Sequence, residues 1–233
     1  MALLYLVPNV LSDGDWQNVL PSRIYPVLTN TRHFIVENIR TARRFMKQIN
    51  KEINIDECTF YELNKRTKSS DLPHFLKPIE RGFDVAVLSE AGCPGIADPG
   101  ADVVRIAHQK GIRVVPIVGP SSIVLALMSS GMNGQNFAFN GYLPVKPGER
   151  AKEIVQLEKK IRNYNQTQIF IETPYRNNQL IKDLINTCSP ATLLCIAANI
   201  TGENEFIATK TIKDWKKNVP DLHKQPAIFL IGN

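Results

Sequence analysis

Apolar residues in this chain fall in short runs, separated by polar segments or by segments of helical periodicity. Leu3-Leu4-Tyr5-Leu6-Val7 and Val85-Ala86-Val87-Leu88 are apolar at every position and too short for helices, so each reads as a strand buried on both faces. Residues 31–36, 59–63 and 112–118 read as further strands. Between them the period changes to that of a helix. Over 38–53, Ile39, Ala42, Met46, Ile49 and Ile53 share one face, and Arg40, Arg43, Arg44, Lys47 and Lys51 share another. Helices are also expected over 72–81 and 98–110, the latter with Asp98 as N-cap and Pro99 at its first position. Alternating strands and helices predict a parallel sheet with helices on both faces.

Beyond about residue 120 the order is less regular. Residues 123–130 form a helix apolar on nearly every side, which is expected inside the fold. Strands follow at 137–142, 168–172, 192–200, 206–209 and 227–231, with helices at 146–162 and 177–188, giving a mixed sheet. The expected fold is α/β, with an N-terminal domain over 1–118, a C-terminal domain over 119–233, and a ligand cleft between them.

Two stretches interrupt this frame. Leu88 to Gly100 reads Leu-Ser-Glu-Ala-Gly-Cys-Pro-Gly-Ile-Ala-Asp-Pro-Gly, longer than a simple strand-to-helix turn requires. In an open α/β sheet, ligands bind beyond the carboxyl ends of the strands, where such a loop lies. Gly119-Pro120-Ser121-Ser122 places hydroxyls and main-chain N–H groups at a helix start, which suits an anion or a plain N-cap.

Composition narrows the chemistry. The four cysteines form no Cys-x-x-Cys pair and the four histidines no His-x-x-x-His, so neither a metal site nor a disulfide framework is expected. Cys188 and Cys195 read as small buried hydrophobes. Dinucleotide, P-loop and serine-hydrolase glycine signatures are absent. No apolar run approaches the roughly 18 residues of a membrane span, and the opening run is too short for a signal peptide. A cytoplasmic protein is therefore expected. The net charge of +6 favours a polyanionic partner, and the five cations between Arg40 and Lys51, with no acid among them, are its natural contact. A solvated helix face accounts for them equally simply.

Taken in order, Val87 to Gly100, Val114 to Ser122, Phe139-Asn140-Gly141-Tyr142-Leu143-Pro144 and Glu172-Thr173-Pro174-Tyr175-Arg176 resemble the tetrapyrrole methylase superfamily. The branch of small-subunit rRNA ribose 2′-O-methyltransferases is the most similar. The resemblance implies two α/β domains, a homodimer, and S-adenosylmethionine (SAM) as cofactor. It implies that Pro8, Ala91, Gly92, Cys93, Pro94, Ile96, Ser121, Ser122 and Ala198 bind SAM. Glu37, Glu90 and Glu172 become the candidate catalytic carboxylates, and Arg40, Arg43, Arg44 and Arg176 candidate substrate contacts, with RNA the expected partner. The first loop, Pro8-Asn9-Val10-Leu11-Ser12-Asp13, lacks the family's glycine, and Glu37-Asn38-Ile39-Arg40 has one carboxylate fewer than the family's Glu-Asp-Thr-Arg. Methylation of a small molecule, and a non-catalytic SAM-binding descendant, are the alternatives.

Overall fold

The computed structural model describes residues 2–233. The chain divides into two compact units, one ending at Ser121 and the other spanning Ser122–Asn233.

In the first unit, β1 (Leu3–Val7), β2 (His33–Val36), β3 (Thr59–Glu62), β4 (Val85–Leu88) and β5 (Arg113–Pro116) form a sheet in the order β3-β2-β4-β1-β5. Every pairing is parallel, so all five carboxyl ends lie along one edge. Five helices connect and cover the strands: α1 (Ile24–Asn30), α2 (Ile39–Ile49), α3 (Leu72–Phe75), α4 (Lys77–Glu80) and α5 (Ala101–Gln109). The period of two along each strand sorts its residues between two cores. Phe34, Val36, Ala86 and Leu88 pack with α1 and α2. Ile35, Val85 and Val87 pack with α3 and α5. That two-sided burial is why these strands are apolar throughout.

The second unit holds β6 (Phe137–Tyr142), β7 (Thr167–Ile171), β8 (Leu193–Ala198), β9 (Phe206–Thr211) and β10 (Ala227–Gly232) in the order β6-β7-β10-β8-β9. Only β6 and β7 pair in parallel, so the sheet is mixed. Its helices are α6 (Ser122–Ser130), α7 (Pro147–Tyr164), α8 (Asn177–Thr187) and α9 (Ile212–Trp215). Phe170, Phe229, Ile154, Leu184 and Trp215 centre its core. Cys188 and Cys195 are buried free thiols, as their neighbours in sequence suggest.

Several elements differ from the sequence reading. The helix expected from Asp98 starts at Ala101, with Gly100 as N-cap at φ 138°. Asp98 instead accepts a hydrogen bond from the Ser89 hydroxyl. Residues 72–81 form two one-turn helices rather than one, with a proline in the first turn of each. The helix expected over 38–53 stops at Ile49, where Asn50 leaves the helical conformation. The helix α6 is buried on one side only: Ile123, Ala126 and Leu127 are covered, whereas Val124 and Met128 stay 49% and 74% exposed. Neither α1, which contains Pro26, nor the single-turn α9 carries a periodic signal long enough to read. Among the described residues no helix is long and apolar enough to cross a membrane, and no group of three or more His, Cys, Asp or Glu side chains is placed to hold a metal.

Candidate functional site

Three chain segments meet beyond the carboxyl edge of the first sheet, after the adjacent strands β4, β1 and β5. Asn9 joins the first two. Its N–H donates to Gly92 O at 2.9 Å, and Gly92 N–H donates back to Asn9 O at 3.1 Å. Its side-chain Nδ2 also donates to the carbonyls of Ser89 (3.2 Å) and Glu90 (3.1 Å), while its Oδ1 accepts the Val10 N–H. Gly92 is held at φ 70°, where a side chain would be strained, and a Cβ there would lie 3.2 Å from Leu11 and 3.3 Å from Pro120 O. Its main-chain polar groups are thus spent on shaping the loop.

The third segment fits against the first through Gly119. A Cβ at this position would sit 2.2 Å from Pro8 Cγ, so only glycine lets the chain after β5 lie on the proline ring. Cys93 completes the junction, its Sγ donating to Pro120 O at 3.4 Å. Burial pushes the Cys93 thiol above its ordinary pKa, which keeps it protonated near neutral pH.

Pro8, Gly92 and Pro94 are buried and Cys93 half-buried. Ala91 and Ile96 are exposed, Ile96 by 54%, and Val118 beyond β5 is exposed by 79%. The edge therefore offers main-chain groups of a Gly/Pro loop beside uncovered aliphatic side chains. Ser121 ends the first unit at this edge. Ser122 opens α6, and Ala198 closes β8 with its side chain fully buried; both belong to the second unit.

Two of the candidate carboxylates share the neighbouring part of the edge. Glu37 follows β2 and Glu90 follows β4, and Asp98 joins them around a crevice of about 10 Å³, close to the size of one water. Glu90 Oε1 accepts the Thr41 hydroxyl at 2.5 Å, and Asp98 is held by Ser89. Glu37 hydrogen-bonds to none of the described residues. Burial raises its pKa, the charges of Asp98 and Glu90 raise it further, and Lys65 opposes them. The sequence reading missed Asp98 because a helix-capping role absorbed it. Asn9 and Gly119 stand in sequence only as members of their loops, because one polar and one small residue carry no periodic signal of the contacts they make.

Glu172 lies in the second unit, at the end of β7, with its side chain 1% exposed. Its Oε1 accepts from Arg176 Nη2 and from the Thr173 N–H, both at 2.6 Å, whereas Oε2 is buried without a partner among the described residues. Arg176 is thereby committed to this ion pair.

The helix α2 rises directly from the acidic crevice. Asn38, next to Glu37, caps it by accepting the N–H groups of Arg40 (2.9 Å) and Thr41 (3.3 Å). Arg40, Arg43, Arg44, Lys47 and Lys51 are all exposed. The Arg43 guanidinium lies over the Phe60 ring, 5.1 Å from its centroid, and Lys47 donates to Lys51 O.

Comparison with known proteins places this architecture. The family model for Tetrapyrrole (Corrin/Porphyrin) Methylases matches residues 34–216. The Ribosomal RNA small subunit methyltransferase I of Buchnera aphidicola subsp. Schizaphis graminum is 30% identical over 98% of this chain and 77% of its own length. The protein of the same name from Pseudomonas aeruginosa is 32% identical, over 94% of this chain and 75% of its own. Among solved structures, the methyltransferase CobJ has the same fold, with a TM-score of 0.65 at 16% identity, covering 100% of this chain and 95% of that one. With residues 34–216 matched by the family model and nearly the whole chain aligned to relatives of 30% identity or more, the chain belongs to the tetrapyrrole (corrin/porphyrin) methylases, a family of methyl-transferring enzymes.

Proposed function

We propose that this chain methylates a ribose 2′-hydroxyl of small-subunit ribosomal RNA, with SAM as methyl donor. The observation that carries the RNA acceptor is the exposed cationic face of α2, which begins beside the acidic crevice at the edge of the sheet. A phosphate-bearing chain lying along that face is led to the carboxylates. Relatives named for ribosomal RNA methylation support the same acceptor.

The carboxyl edge suits SAM in its chemistry, pairing main-chain donors and acceptors with exposed aliphatic surface. Ala91, Cys93, Ile96 and Ser121 are the residues proposed to hold it, with Pro8, Gly92 and Pro94 fixing the loops around them. Bound there, SAM supplies an electrophilic methyl group. The protein's own part is to orient the acceptor hydroxyl and receive its proton. Glu37 is proposed as the proton acceptor, because its pKa is raised above the ordinary carboxylate value and Glu90 and Asp98 are already engaged by hydroxyls. Glu172 is given a structural role. Arg40, Arg43 and Arg44 are proposed to bind RNA phosphates.

Binding measurements test this directly. Calorimetry should show SAM binding, and RNA affinity should fall with salt by about 0.7 log units per phosphate neutralised for each log unit of salt. Replacing Arg43, Arg44 and Lys47 by glutamine should lower that slope by roughly two while leaving SAM affinity unchanged. An unchanged slope removes the α2 face from the RNA site. The homodimer is proposed from the family likeness, and a sedimentation mass of one chain alone would refute it.

A further inference from the structure

Away from the carboxyl edge, the first unit carries a second concave surface that the proposed chemistry does not use. It lies where His33 opens β2 and Phe83 leads into β4, and α3 and α4 wall it. His33, Tyr61, His74, Lys77, Arg81 and Phe83 line a groove of about 210 Å³. A hollow of about 370 Å³, reaching Asn30 and Arg32, adjoins it across Phe83. Together they are of the size that small-molecule sites occupy.

The groove combines two chemistries. The first is aromatic. Phe83 is 55% exposed, with its ring edge-on to His33 at 5.6 Å. His33 stacks on Tyr61 at 6.4 Å, and Tyr61 packs on the buried Phe75 at 5.2 Å, so the exposed ring sits at the end of a braced aromatic series. The second is cationic. Lys77 and Arg81 are exposed, and neither forms an ion pair among the described residues. The acid between them in sequence, Glu80, is held at 2.5 Å by Lys110 instead. Asp84 is likewise engaged, accepting the Leu3 N–H at 2.7 Å. Lys77 and Arg81 thus keep their ammonium and guanidinium groups free of direct ion pairs beside a bare ring, with Glu80 and Asp84 the acids nearest in sequence. His33 adds a third feature: its Nδ1 is buried, with no hydrogen-bond partner among the described residues. Burial, then the charge of Arg81, lowers the imidazole's pKa, so His33 adds no positive charge to the groove near pH 7.

A bare anion would need the cations but not the ring, and an apolar ligand the ring but not the cations. A planar heterocycle carrying a phosphate needs both. We propose that this groove binds a nucleoside 5′-phosphate unit, with the base laid on Phe83 and the phosphate held by Lys77 and Arg81. The unit is either a free nucleotide or one residue of a single-stranded RNA. The second source rests on the function proposed above, and the groove would then hold acceptor RNA away from the α2 face.

Calorimetry on the full chain tests this with 5′-AMP, adenosine, inorganic phosphate and a 12-nucleotide single-stranded RNA. Saturating S-adenosylhomocysteine would keep adenine from the cofactor loops. AMP should bind at least tenfold more tightly than adenosine or phosphate. Phe83→Ala, at an exposed position, should weaken AMP at least fivefold, the lower end for losing one base-stacking platform. The double variant Lys77→Gln, Arg81→Gln should weaken it at least tenfold. RNA bound more tightly than AMP and weakened by the same variants assigns the groove to a strand, whereas equal affinities assign it to a free nucleotide. AMP and RNA affinities unmoved by both variants, or AMP bound no better than phosphate, overturn the proposal. Variant-sensitive AMP binding by a chain that transfers no methyl group to RNA leaves the groove standing and removes only its RNA source.

Discussion

Replacing Gly119 by alanine isolates the contact that joins the β1 and β5 ends of the site. The backbone of Gly119 is not in the left-handed region, so alanine meets no conformational penalty there. Its cost is steric: the new Cβ would lie 2.2 Å from Pro8 Cγ and 2.3 Å from Pro8 Cβ. Real contacts of this kind stay above 3.0 Å, so the two segments must part by about 0.8 Å. Neither side yields easily. The proline ring cannot rotate away, and the Ile117 N–H bond to Leu6 O, at 2.9 Å, ties the strands just before the contact. Overpacking a tight contact costs typically 1–3 kcal/mol, and this one belongs at the upper end, about 2–3 kcal/mol. In urea, with a slope of about 2 kcal/mol per molar, the unfolding midpoint should fall by about 1 M or slightly more. Hydrogen exchange should place the loss in β1 and β5. Pro8→Gly removes the ring, so the double variant should recover at least about 1 kcal/mol relative to the sum of the singles. A midpoint unmoved by Gly119→Ala, or a cost that Pro8→Gly does not relieve, would refute the reasoning.

Other perturbations test other parts of the structure. Burial, with a smaller contribution from Glu158, pushes the Cys188 thiol up to about 12 from an ordinary 9.0, so the unfolded thiol ionises first. Stability should therefore decline between pH 9 and about 12, and a Cys188→Ala variant followed by alkaline denaturation should lack that component of the decline. Arg176→Ala leaves Glu172 buried beside only the Thr173 N–H and should cost about 3 kcal/mol, the low end for breaking a buried pair because Arg176 is itself 37% exposed. Chemical denaturation reads it, and an Arg176→Ala protein as stable as the parent would show that the pair adds nothing. Methyl transfer should rise with pH through a Glu37 pKa above 4.5, and Glu37→Gln should lower kcat at least a hundredfold with SAM affinity intact. An active glutamine variant would return the proton to Glu90 or to water.

The sheet of the first unit was legible because burial on both faces demands apolar strands, and Val85-Ala86-Val87-Leu88 cannot be read otherwise. The cationic face of α2 was legible for a related reason, since its apolar positions fix which residues must be outside. What escaped depends on contacts across the sequence. Asn9 reads as an ordinary turn residue until Gly92, over eighty residues later, supplies its partner. Asp98 ahead of Pro99 has the local signature of a helix cap, but the Ser89 hydroxyl claims it and the helix waits for Gly100. The helix α6 looks fully apolar in sequence, yet Val124 and Met128 point outward, because apolarity states what burial a residue permits and not what it receives.

The central claim is tested most directly by locating the transferred methyl group. Small-subunit ribosomal RNA from cells lacking this protein would be incubated with the purified chain and SAM tritiated on its methyl group, then hydrolysed with alkali. A 2′-O-methyl ribose has lost the hydroxyl that attacks the adjacent phosphate, so the account predicts tritium in an alkali-resistant dinucleotide, lost with Glu37→Gln. Tritium released in mononucleotides, or RNA left unlabelled by a chain that binds SAM, would contradict it.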